Sequence, residues 1–321
     1  MTRLIRTPAD YGSHMNDAPT RDDVLHARDT IAGRVHRTPL VGNRTMGAWL
    51  KCELFQRTGS FKARGALNKI SSLSDDEKAR GVIAISAGNH AQAVAFAAAS
   101  EGIDALVVMW EGASAQKIAA TRGYGAAVDL EASGPGDAFA RLDTLIAETG
   151  RTLVHPFDDP LVMAGQGTVG LEIEEDAPDA DAIIVPVGGG GLVGGIQAAI
   201  GEHMRVVAVE PEQSTAFHSA VAAGHPVSVT PSSIADGLSA PFAGRIATET
   251  CKDLERVLVT EAEIEHAFRF VYERAKLACE PAAAVASAAW LAGKVDAKNP
   301  VILVSGGNVA TQTAAAILAR P

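Results

Sequence analysis

From about residue 80 the chain alternates short apolar runs with longer helix-like stretches, and this alternation limits the fold more than any other feature. VIAIS (82–86) precedes NHAQAVAFAAASEG (89–102), DALVVMW (104–110) precedes SAQKIAATRG (114–123), and AAVDL (126–130) precedes GDAFARLDTLIAETG (136–150). TLVHP (152–156) is followed by a helical stretch over 160–175. DAIIVPV (181–187) leads to LVGGIQAAIGEH (192–203) and then RVVAVE (205–210). Near the end, PVILVSGG (300–307) leads to NVATQTAAAILA (308–319). Runs such as AIIVPV are apolar on both faces, which suits parallel strands covered by helices on either side. Repeated βα units predict an α/β class with two sheets. The Pro- and Gly-rich stretch 225–260 reads as a structured connection between elements, not as a domain boundary.

Composition narrows the function. With 28 basic and 38 acidic residues, the net charge is −10. No broad basic face exists to neutralise phosphates, so nucleic acid is excluded as a partner. Cys52, Cys251 and Cys279 are odd in number and form no CxxC pair, which points to a reducing, cytoplasmic setting. The nine histidines show no HExxH spacing. No apolar run approaches the roughly 20 residues that cross a bilayer, and no signal-peptide core opens the chain. Residues 12–15, GSHM, have the look of a cloning scar, and residues 1–18 are set aside from fold reasoning.

In open α/β sheets ligands bind beyond the carboxyl ends of strands. Three such ends are unusual here: SAGNH (86–90), GGGG (188–191) and SGGN (305–308). Four glycines let the backbone curl so that several N–H groups face one point, and a helix start follows directly; together these suit a phosphate. A tight turn with no ligand is the plain alternative. Gly189, Gly191 and Gly194 also fit GxGxxG, with Glu210 ending the next strand, which formally matches a dinucleotide fingerprint. That reading leaves Lys62, Asn89 and Ser305 without roles. Ser114-x-x-Lys117 lacks the partner motifs of a serine hydrolase, and Glu174-Glu175-Asp176 reads as a solvated helix end.

Taken together, these segments resemble the fold-type II pyridoxal-phosphate enzymes, nearest the serine/threonine dehydratase (threonine ammonia-lyase) and serine racemase group. LKCELFQRTGSFKARGALNKI (50–70), SAGNHAQAVA (86–95), HPFDD (155–159), GQGTVGLEI (165–173), VGGGGL (187–192) and VSGGN (304–308) match its signatures in order, and the likeness covers roughly 20–319. The resemblance implies a tryptophan synthase beta-like fold of two open, mainly parallel sheets flanked by helices. It implies a large cofactor-binding domain (19–74 and 151–321), a small mobile domain (75–150) and no C-terminal regulatory domain. By the same resemblance Lys62 is the lysine that forms the Schiff base and then the base at Cα, and Phe61 packs beside the pyridine ring. Asn89 bonds the ring hydroxyl, Gly188, Gly189, Gly190, Gly191 and Leu192 hold the phosphate, and Ser305 partners the ring nitrogen. Ser86, Ala87, Asn89 and His90 lie in the loop that grips the substrate carboxylate.

The expected reaction is α,β-elimination of water from L-threonine or L-serine, giving a 2-oxo acid and ammonia, in a homo-oligomer. A neutral Ser305 makes a weaker electron sink than an aspartate would, which suits elimination over transamination. Two departures from the family pattern stand out. Glu210 is kept where some members bind a divalent cation, but Ala216 replaces the expected aspartate, so that site is doubtful. ADGLSAPFAG (235–244) differs from the commoner ADGxAV form and leaves the substrate open. A threo-3-hydroxyaspartate dehydratase would need a further cation, for which Arg64, Lys117 and Arg245 are candidates. A serine racemase would need an acid opposite Lys62, where Ala87 has none to give. An NAD-dependent oxidoreductase is the alternative of a different class.

Overall fold

A computed structural model of the chain describes residues 18–320, so the GSHM segment lies outside the described residues. Its ten strands are β1 (Leu40–Asn43), β2 (Ala48–Cys52), β3 (Val82–Ile85), β4 (Ala105–Trp110), β5 (Ala127–Ala132), β6 (Thr152–Leu153), β7 (Ala182–Pro186), β8 (Arg205–Pro211), β9 (Glu255–Val259) and β10 (Pro300–Val304). They form two sheets, as expected: six strands in the order β1-β2-β10-β7-β8-β9 and four in the order β5-β4-β3-β6. Only β1 runs antiparallel, against β2.

The doubly apolar runs are explained by burial on both faces. Ile183 and Val185 enter one core with the helices Pro160–Asp176 and Gly191–Ile200, while Ile184 between them enters a second core beneath the helices Glu261–Phe270 and Pro281–Leu291. The period of two along a strand sends alternate residues to opposite faces. The smaller sheet divides likewise, with Val82 and Ala84 on one side and Ile83 and Ile85 on the other.

The helix that begins with Lys62 (Lys62–Ser71) lies between the two units. Its residues Ala66, Leu67 and Ile70 belong to the core of the smaller sheet. Its other side meets the helix Pro160–Asp176 at glycines: a Cβ on Gly165 would lie 2.6 Å from the Cα of Gly65. This close approach is a packing reason for the GQGTVG run. The smaller sheet also takes Thr152–Leu153 as β6, three residues past the expected boundary at 150.

Candidate active site

Lys62 opens its helix directly after the backbone of TGSF has been fastened to the end of β10. Phe61 N donates to Ser305 O (3.2 Å), Gly307 N donates to Gly59 O (2.9 Å), and Ser60 bridges Gly306. The lysine and the SGGN strand end are therefore held as one piece. The Lys62 amine is half-buried, lies 5.3 Å from the centre of the Phe61 ring and donates to Pro156 O (2.6 Å). Burial disfavours the charged ammonium and pushes its pKa down to about 8.

The tetraglycine lies where β7 ends and the helix Gly191–Ile200 begins. Gly189, Gly190 and Gly191 have no room for a side chain, and Gly188 is tight. A Cβ would lie 3.0 Å from the backbone of Leu238 at Gly188, 2.3 Å from the Phe157 ring at Gly189, 2.5 Å from Ala247 at Gly190 and 2.8 Å from the Phe157 backbone at Gly191. Gly190 also has φ +93°, a region open to glycine. The first amides of the helix have no partner within it, so the loop presents bare N–H groups. Leu192 itself packs into the core. This donor set fits a phosphorylated aldehyde, with amides for the phosphate and a readily neutralised amine for the carbonyl carbon.

A side-chain chain closes the far side. Asn89 Nδ2 donates to Glu280 Oε1 (2.7 Å), and Asn308 Nδ2 donates both to Asn89 Oδ1 (2.8 Å) and to Thr58 O (2.7 Å). Glu280 is buried beside Ser305 and Gly306; a Cβ on Gly306 would meet its Oε1 at 2.6 Å. Burial, reinforced by the Asp236 charge, pushes the Glu280 carboxyl up to about 7. Neither Glu280 nor Asn308 was singled out by sequence reasoning. Asn308 ends the VSGGN match and could have been found there, whereas Glu280 stands in CEPAA, a stretch with no local signature.

His90 and His155 are both buried, which pushes them down to about 3 and about 4 and keeps them neutral. The His155 Nδ1 accepts from the amides of Phe157 (3.3 Å) and Asp158 (2.8 Å), so its proton is on Nε2. The His90 ring bonds Val154 O (2.8 Å) through Nε2, which directs that nitrogen into the fold, away from the loop. Ser86 Oγ accepts from Gly88 N (3.1 Å), and Ala87 sits between them, half-buried. Ser86, Ala87, Asn89 and His90 thus share one strand end, beside the Lys62 piece.

Two candidates from the sequence have other occupations. Arg64 is fully buried and paired with Glu53 (2.7 Å) and Glu172 (2.7 Å), so it is not a cation for a second substrate carboxylate. Glu210 accepts from the amides of Phe217 (2.8 Å) and His218 (2.7 Å) at the start of the helix Ala216–Ala223, so it has no oxygen turned toward a ribose as the dinucleotide reading required. Among the described residues no group of three or more His, Cys, Asp or Glu side chains could hold a metal ion. The acidic run 174–176 is ion-paired to Arg21 and Arg37, where a simply solvated helix end was expected.

Fold and site together suit an α/β enzyme with room for a phosphorylated cofactor at strand ends beside a lysine. The chain belongs to the pyridoxal-phosphate dependent enzyme family, whose model matches residues 31–307. It is 42% identical over 307 residues to the catabolic L-threonine dehydratase TdcB of Escherichia coli (strain K12), covering 90% of this chain and 92% of that protein. Maize serine racemase superposes with a TM-score of 0.87 at 35% identity, covering 92% of this chain and 96% of that one. The processed form of threonine deaminase isoform 2 from Solanum lycopersicum superposes with a TM-score of 0.86 at 32% identity, covering 94% and 92%.

Proposed function

We infer that the protein is a pyridoxal-phosphate-dependent ammonia-lyase that converts L-threonine, L-serine or both to the 2-oxo acid and ammonia. The observation that carries this reading is the Lys62 amine, half-buried and lowered to about 8, fastened through Ser305 to one glycine-lined strand end and bonded to Pro156, whose neighbour Phe157 packs on the tetraglycine. Gly188 to Gly191 hold the cofactor phosphate through backbone N–H groups, Phe61 lies beside the ring, Asn89 has a second amide hydrogen for the ring hydroxyl, and Ser305 meets the ring nitrogen. When bound, the cofactor supplies the electron sink that loosens the Cα proton and lets the β-hydroxyl leave. The Lys62 Nζ takes the Cα proton as a neutral amine. The loop 86–90 receives the substrate carboxylate and so orients Cα toward Lys62. Closure of the smaller unit keeps water out while the hydroxyl departs. The water lost in elimination is regained when the released enamine hydrolyses, so each amino acid gives one oxo acid and one ammonia.

The same reading makes the protein a cytoplasmic homo-oligomer with a small-molecule amino acid as its partner. Its three cysteines are all free and buried, in keeping with a reducing compartment. No helix among the described residues is long and apolar enough to cross a membrane. The test is a panel of L-threonine, L-serine and threo-3-hydroxyaspartate assayed for oxo acid and ammonia, with Lys62→Ala alongside. We expect threonine or serine to be turned over, and the variant to lose turnover while still binding free cofactor through the glycine loop. Ordinary turnover by Lys62→Ala would overturn the assignment.

A further inference from the structure

The segment 236–244, within the stretch 235–244 that departs from the family form, touches both units at once. On the side of the larger unit its backbone lies against the phosphate loop: a Cβ on Gly188 would lie 3.0 Å from Leu238, and Gly244 N donates to Gly189 O (2.9 Å). Gly237 packs against Ala282 and Glu280, where a Cβ would come within 2.9 Å and 3.5 Å. On the side of the smaller unit it is gripped twice. Lys117, on the helix Ala115–Gly123, pairs with Asp236 (2.5 Å). Phe139, on the helix Pro135–Thr149, packs on Phe242 with ring centres 5.9 Å apart. Phe242 in turn meets Phe157 edge-on (5.6 Å), and Phe157 is the ring that excludes a side chain at Gly189. Two grips on one unit thus converge, through one short strap, on the loop that the other unit offers to a phosphate.

We propose that Lys117 and Phe139 are positioning residues that act through the 236–244 strap, coupling closure of the smaller unit to the shape of the phosphate cradle. The proposal deepens the ammonia-lyase reading and rests on it for its catalytic consequence only. Neither residue belongs to the phosphate loop or to the Lys62 piece. If they act through the strap, altering them should loosen amides far from the substitution. A surface ion pair and a single aromatic pair each bring a modest effect, so the expected changes are about 3- to 10-fold.

The experiment measures hydrogen–deuterium exchange in the holoenzyme for wild type, Lys117→Met, Phe139→Leu and Lys117→Arg, with steady-state kinetics on L-threonine and L-serine. We expect Lys117→Met and Phe139→Leu to speed exchange about 3- to 10-fold both in 236–244 and in the glycine loop 187–192. The helix Gly191–Ile200 beyond its first turn should stay as in wild type. Lys117→Arg, which keeps the charge, should restore slow exchange. In kinetics, kcat/KM should fall by a similar factor, with the loss shared by Asp236→Asn and not deepened in the Lys117→Met/Asp236→Asn double variant. Faster exchange confined to the substituted helix, with 187–192 unchanged, would overturn the proposal. Exchange is read without substrate, so a wild-type enzyme inactive on both amino acids would refute the lyase reading while the exchange rates still decided for or against the strap.

Discussion

Lys62 shows how far one residue can be read from its neighbours. The resemblance of the segment 50–70 assigned it covalent chemistry, which its immediate neighbours TGSFKARG left open, and the fold adds that burial lowers it to about 8 from an ordinary 10.5. The sign of the consequence follows. Only the neutral amine attacks an aldehyde; at pH 7 about one amine in ten is neutral with the lowered value, against about one in three thousand with the ordinary one. Uptake of pyridoxal phosphate by the cofactor-free protein should therefore quicken as pH rises to about 8 and level off above it. Stopped-flow absorbance at constant ionic strength gives the profile, and a rise continuing toward pH 10 would show that the amine is not held as described. Glu280 is the contrasting residue. Its carboxylate acquires its place from Asn89, 191 positions earlier in the chain, and nothing within CEPAA foretells that meeting.

At the scale of elements, strand ends were legible because glycine runs and apolar runs record backbone geometry directly. The reason for each glycine was not, since it lies in another element. Gly189 faces the Phe157 ring, and Gly190 faces Ala247. Gly189→Ala should cost at least about 1–3 kcal/mol through overpacking and weaken cofactor binding tenfold or more by the corresponding shift of the loop. Adding Phe157→Ala removes the struck ring and should recover part of the affinity, measured by titration with pyridoxal phosphate. No recovery would mean that the loop itself, and not the ring, rejects the methyl group. The SAGNH strand end carries its own expectation. Ser86 Oγ is engaged by Gly88 N, and Ala87 has only a methyl group to present. If the Ala87 position is the one that faces Lys62 across the substrate, as the resemblance implies, no proton donor stands there and inversion at Cα should be negligible beside elimination. Chiral chromatography of L-serine reactions should show pyruvate with scarcely any D-serine, and comparable amounts of the two would refute the argument.

At the scale of the whole molecule, the family resemblance divides the chain at about 75 and 150, but the cores do not divide there. The core of the smaller sheet takes Ile31, Ala66, Leu67, Ile70 and Leu73 from before that span, and Val154 and Val162 from after it. The helix Lys62–Ser71 that supplies three of them begins with Lys62 and is tied at Arg64 to Glu53 and Glu172 of the larger unit. A hydrophobic pattern reports which residues seek burial and not which sheet receives them, so this sharing could not be read from the chain. It makes the two units one cooperative body even if they shift against each other in closing. Leu67→Ala, at a fully buried site in the core of the smaller sheet, should cost about 2–5 kcal/mol. That loss should move the transition of the larger unit as much as that of the smaller one. The three tryptophans make the test direct: Trp110 lies in β4, while Trp49 and Trp290 lie in the larger unit. Urea unfolding of the cofactor-free protein followed by Trp110 alone, in a Trp49→Phe/Trp290→Phe background, should coincide with unfolding followed by circular dichroism, and both midpoints should fall together in Leu67→Ala. Residues 75–150 expressed alone should give no cooperative transition, because the fragment lacks one wall of its core. Two separated transitions, or a folded fragment, would show that the shared helix does not join the units.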